Sequence, residues 1–167
     1  MIIKNGNYTK LEGYDFALFA ARHEAPTPFT HFIVKWYLNP PCPLEGFKLN
    51  KQGDLIKIFK RDAITNAYSV KTMGKYKGEV FQLWGYNKNR NVIGLITHNI
   101  ETAKKLNFLN LSDRYIKEVK PEELSVIWEE RGKSEFDLPI PDNLERKKII
   151  PFRRGLPPPT AIKLDGN

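Results

Sequence analysis

One cysteine, three histidines and two methionines are nearly all the soft or nitrogenous ligand chemistry in this 167-residue chain. Cys42 has no second thiol to pair with, so an internal disulfide is excluded. His23, His31 and His98 are scattered, without the spacing a structural zinc site needs, so neither a metal nor a cofactor is expected. Long apolar runs are also missing. Met1 to Leu11 is interrupted by Gly6 and Asn7, so no signal peptide and no membrane span is expected there or elsewhere, which favours the cytoplasm. No glycine-rich run followed by Lys and Ser/Thr is available to cradle phosphates. Around Cys42 lie prolines, an asparagine and Leu44, with no glycine elbow to expose a nucleophile. The acidic pairs Glu122/Glu123 and Glu129/Glu130 have no environment that would separate two pKa values and read as solvated surface. No catalytic constellation is visible, and the chain is expected not to be an enzyme.

What is present is aromatic and branched. Ten Phe and seven Tyr, within a composition that is 41% hydrophobic and 28% charged, point to a folded, strand-rich protein. The length suits one domain over residues 1–150, followed by a proline-rich, extended tail at 151–167 that carries Arg153, Arg154 and Pro157 to Pro159. A polyproline ligand based on Arg154 and Pro157 lacks its last proline, because Thr160 stands there. The 27 basic against 19 acidic residues leave +8, enough to attract an acidic partner or nucleic acid, although the lysines are spread along the chain.

The chain also repeats itself. Asn5 to Tyr14 aligns without a gap on Lys77 to Tyr86 through Gly6/Gly78, Leu11/Leu83, Gly13/Gly85 and Tyr14/Tyr86. Leu55 to Ile64 resembles Tyr115 to Leu124 through Ile56/Ile116, Lys57/Lys117 and Lys60/Lys120. The block order is the same in both halves, so the sequence reads as two duplicated β units, about 2–72 and 75–130, unless the matches are chance. The expected fold is a β-rich α+β domain, a mostly antiparallel sheet with short helices, because no long helical crossovers are visible for a parallel one.

In chain order, a first strand is expected from Tyr8, with Thr9 and Leu11 inward and Tyr8 and Lys10 outward, paired to Phe16–Ala20. Ala21 to Gly46 reads as an insert in the first half, bounded by Pro26, Pro28, Pro40, Pro41 and Pro43; within it, His31–Leu38 is a strand apolar on both faces, either central in the sheet or an exposed patch. Strands follow at Leu55–Lys60, Tyr68–Thr72, Glu79–Tyr86, Val92–Thr97 and Tyr115–Val119. A helix is expected over Ile100–Leu106, capped by Asn99, and another over Asn143–Ile149, started by Asp142 and Glu145. Leu124–Trp128 fits a strand or a helix opened by Pro121.

The run Tyr115-Ile116-Lys117-Glu118-Val119-Lys120-Pro121-Glu122-Glu123-Leu124, with Tyr76-Lys77-Gly78 ahead of an aromatic strand, resembles small immunity proteins of bacterial polymorphic toxin systems. The resemblance implies a cytoplasmic, non-enzymatic protein that binds a cognate toxin domain and blocks it; at +8, an acidic toxin fits better than a nuclease. The alternative is a basic nucleic-acid-binding β domain, whose affinity would fall steeply with salt. For the partner surface, Trp84 stands on the polar side of its strand, either as an anchor or covered by the tail or insert. The expected partner-binding residues are Trp84, Tyr86 and Arg90, then Trp36 and Tyr37.

Overall fold

The computed structural model describes residues 2–21, 30–37 and 41–151. The proline-rich tail beyond Pro151 and parts of the Ala21–Gly46 insert lie outside the described residues. Strands are β1 Asn5–Leu11, β2 Tyr14–Ala20, β3 His31–Trp36, β4 Lys48–Leu49, β5 Leu55–Lys60, β6 Tyr68–Tyr76, β7 Glu79–Asn87, β8 Val92–Thr97, β9 Leu109–Leu111, β10 Arg114–Val119, β11 Leu124–Lys133 and β12 Lys147–Ile150; helix α1 is Ile100–Lys105. The fold is therefore mostly antiparallel β with very little helix, as the branched and aromatic composition predicts. Among the described residues no helix is long and apolar enough to cross a membrane.

The chain forms two compact units. The first is Gly6–Val70 with Arg131–Arg146; the second is Met1–Asn5, Lys71–Glu130 and Lys147–Asn167. The division after Val70 lies within β6, and segments from Arg131 onward contribute to both units.

In the first unit the strand order is β4-β5-β3-β2-β1. Antiparallel register sets Tyr8, Ala17, Lys35, Ile56 and Lys48 in one row across it. Alternation sends Phe16, Leu18, Phe32, Val34 and Trp36 to one face, where Ile64, Ala67 and Phe136 complete a core. β3 pairs on both sides, so the apolar segment of the insert is a central strand. On the opposite face Tyr8, Ala17, Tyr68 and Val70 form a second cluster. Tyr8, expected to face solvent, is thus buried, and β1 starts at Asn5 instead of Tyr8, with Gly6 supplying a φ of +103°.

In the second unit the order is β6-β7-β8-β10-β9, and β11 pairs with β6 and β12. Register sets Met73, Gln82, Ile96, Ile116 and Leu109 in one row across it. Tyr76, Phe81, Leu83, Ile93, Leu95, Val119, Leu124 and Ile127 make the core. Helix α1 forms as expected, with the Asn99 side chain accepting from the Thr102 amide at 2.9 Å. The Asn143–Ile149 helix does not form. Asn143 takes a left-handed φ of 57°, and Lys147–Ile150 joins the edge of β11 through Ile127/Ile150 to Glu130/Lys147, so strand pairing overrides the local capping signal. Leu124–Trp128 is strand, preceded by a 3₁₀ turn at Pro121–Glu123.

The gapless alignment of Asn5–Tyr14 with Lys77–Tyr86 does not join equivalent strands. Gly13 sits in the β1–β2 turn at φ +85°, whereas Gly85 lies inside β7.

Candidate partner-binding site

Inward Phe81 and Leu83 of β7 send the next residue, Trp84, outward. The ladder then slips. Leu83 faces Leu95 and Gly85 faces Gly94, which leaves Trp84 as the extra residue of a β-bulge. Its indole lies on Gly94: a Cβ added to Gly94 would stand 1.6 Å from Trp84 Nε1 and 2.1 Å from Cδ1. Gly94 is needed for space, because any side chain there would push the ring off its seat. Trp84 is 55% exposed, with one side of the ring on backbone and the other toward solvent. Held this way, the ring has already lost most of its rotamer freedom and offers a rigid apolar surface.

The β7–β8 turn places Arg90 beside it. Asn87 Oδ1 accepts the Arg90 amide hydrogen at 3.1 Å, and Asn91 takes φ 51° to close the turn. The guanidinium donates in a fork to Glu118, Nη1 to Oε2 at 2.8 Å and Nη2 to Oε1 at 2.5 Å. Glu118 of β10 faces Gly94 of β8, so Trp84, Gly94 and Glu118 follow one another across three strands. These residues line a shallow concavity of about 480 Å³ with Tyr86, Asn87 and Lys88. Both side chains are exposed, so solvent screens the pair, while the two-bond fork makes it stronger than a single surface contact. An incoming carboxylate would compete with Glu118 for Arg90, and Lys88 adds to the positive field.

Of the expected residues, Trp84, Tyr86 and Arg90 come together. Tyr86 differs in exposure: the bulge pairs it with core residue Ile93, its ring packs partly on the core, and its hydroxyl donates to Asn91 Oδ1 at 2.9 Å. Trp36 is a correction. It is 7% exposed, packed against Phe16 at 5.0 Å between ring centroids and against Tyr14 at 6.2 Å, because the alternation of β3 puts it inward with Phe32 and Val34. Tyr37 is exposed, with Lys35 Nζ 4.6 Å from its ring centroid. Both belong to the first unit.

Two members of the site were missed by sequence reasoning. Gly94, an isolated glycine between Ile93 and Leu95, carried the usual sign of close backbone approach within a strand. Glu118 carried none, since its neighbours depend on sheet register.

No curated protein and no solved structure matches the chain. A family model described as "Uncharacterised conserved protein UCP033725" matches residues 42–135, which include Trp84, Arg90, Gly94 and Glu118 and make up more than half of the chain. The chain belongs to this family.

Proposed function

We propose that this chain is a non-enzymatic binding protein whose partner docks on Trp84, Tyr86 and Arg90, and that it is an immunity protein neutralising a cognate, acidic toxin domain. The observation that carries the binding reading is the Trp84 indole, seated on Gly94 yet 55% exposed, beside an arginine in a solvent-exposed fork with Glu118. Rigid aromatics with adjacent arginine are the residue types that dominate interface energetics. The immunity reading rests on the sequence resemblance and the +8 charge. Co-expression with the product of the neighbouring gene tests it: co-purification and relief of toxicity are expected, and a pair that does neither removes it. Nucleic-acid binding at low salt without protein binding would favour the alternative.

We also infer that the two units are copies of one duplicated β unit. Their strand orders, β4-β5-β3-β2-β1 and β9-β10-β8-β7-β6, run in the same sequence of connections. The first hairpin turns match in backbone: Glu12 and Gly13 at φ 48° and 85°, Lys77 and Gly78 at 47° and 87°. Phe16 stacks on Phe47 at 5.2 Å, and Phe81 on Phe108 at 5.1 Å. Lys57 Nζ donates to the Glu45 carbonyl at 3.1 Å, and Lys117 Nζ to the Leu106 carbonyl at 2.9 Å. In this alignment Gly13 corresponds to Gly78, and β3, inside the supposed insert, corresponds to β8.

A further inference from the structure

The positions that hold Trp84, Gly94 and Glu118 in the second unit have counterparts in the first: Phe19 on β2, Ile33 on β3 and Ile58 on β5. Register sets these three side by side, with Phe19 facing Ile33 and Ile33 facing Ile58. They lie on the face opposite Phe32 and Val34, since side chains alternate along a strand. Phe19 is 44% and Ile58 61% exposed, and Ile33 between them is half-buried. At a strand spacing of about 4.8 Å the row spans roughly 10 Å.

Lysines stand on both sides of this row. On one side His31 faces Lys60; on the other the next row holds Lys35, Ile56 and Lys48. Lys35 is tied to Asp54 at 2.7 Å, whereas Lys48 and Lys60 are exposed and have no ion-pair partner among the described residues. We propose that Phe19, Ile33 and Ile58 form a second docking surface, which takes an acidic protein segment with apolar side chains between its carboxylates. Charge complementarity to Lys48 and Lys60 fixes the acidic character, and the apolar row accounts for the alternation. Nucleic acid fits this face less well. Two of its three central residues are aliphatic and offer no ring for a base to stack on. The proposal is independent of the role of Trp84.

The test uses the full chain, labelled at isoleucine methyl groups, titrated with a short peptide of alternating glutamate and leucine. Ile33 and Ile58 methyl signals are expected to shift in a saturable way while that of buried Ile127 stays put, and raised salt should weaken the effect. Ile58→Lys should reduce the affinity at least tenfold; because Ile58 is exposed, its fold should persist, checked by unchanged dispersion of the remaining methyl signals. Lys60→Glu, which leaves the apolar row intact, should also weaken binding, and Trp84→Ala should not. The proposal is overturned if the peptide moves Ile33 and Ile58 no more than Ile127, if both variants bind as the parent does, or if a single-stranded oligonucleotide moves these methyls and the peptide does not.

Discussion

Gly94 and Trp84 act as a pair. The absent side chain of one makes the seat of the other, so a change at Gly94 should mimic a change at Trp84 without altering any group that touches the partner. Gly94→Ala puts a methyl group where Trp84 Nε1 and Cδ1 now lie. The expected outcome is a red-shifted, more solvent-exposed tryptophan emission component and a loss of partner affinity comparable with Trp84→Ala; unchanged affinity would mean that the seated geometry is unimportant. Trp36 makes the opposite case. Its indole nitrogen is buried with no hydrogen-bond partner among the described residues, so the ring serves packing and not polar contact. Trp36→Ala should cost ~3–5 kcal/mol of stability in a urea melt, whereas Trp36→Phe, which removes the unpaired N–H, should cost less than about 1.5 kcal/mol. Equal losses from both variants would contradict this account. Sequence alone could not separate the two tryptophans, because outward and inward positions differ by one residue and the bulge lies in the ladder, not in the composition.

At the level of elements, the hairpin turns are a separate test. Glu12 adopts φ 48° next to Gly13 in the β1–β2 turn, a geometry that favours Asn-Gly over Glu-Gly. Glu12→Asn should stabilise by roughly 0.5 kcal/mol, read as a higher urea midpoint at constant slope; a lower midpoint would contradict the turn geometry. Near β5, the loop from Asn50 to Asp54 is organised by Asn50 Oδ1, which accepts from the amides of Gln52 and Asp54 at 2.9 and 2.8 Å. The hydrogen bond from Lys35 holds the Asp54 carboxyl below its ordinary value of 3.8, against an opposing desolvation effect. A folded-state pKa below the unfolded one means that this contribution is complete above the unfolded value and is lost as pH falls through the folded value. Melting temperature should therefore fall on acidification below about pH 4, and Asp54→Asn should show a shallower fall; an identical pH profile would show that the pair does not contribute. The longer strands and α1 are legible because period-two alternation and the Asn99 cap are local signals, whereas the edge strands β4, β9 and β12 are too short to carry such a pattern. The capping signal at Asp142 and Glu145 predicts a helix that does not form, because Lys147, Lys148 and Ile149 pair with Glu130, Glu129 and Trp128 of β11, a tertiary contact that the local signal does not contain.

For the molecule as a whole, the proposed duplication keeps the second pair of similar segments, Leu55–Ile64 with Tyr115–Leu124, and replaces the offset of the first. Of the glycines in the N-terminal match, Gly13 closes a hairpin turn at φ +85°, whereas Gly85 lies inside β7 next to the bulge and has no positive φ, so the shared residue type does not mark a shared structure. What the proposed copies share instead is strand order and core stacking, which reside in buried side chains of differing identity. The candidate site was half legible: its aromatic and its arginine stood in one strand and the following turn, while Glu118 and the seat on Gly94 required register. The central claim is that Trp84 binds a partner and does not hold the fold together. Its most direct test is to measure, for Trp84→Ala, both thermal stability and co-purification with the product of the neighbouring gene. Loss of co-purification with a melting temperature lowered by no more than a few degrees, about 1 kcal/mol in a protein of this size, is the predicted result; a large drop in melting temperature, or retained co-purification, would contradict it.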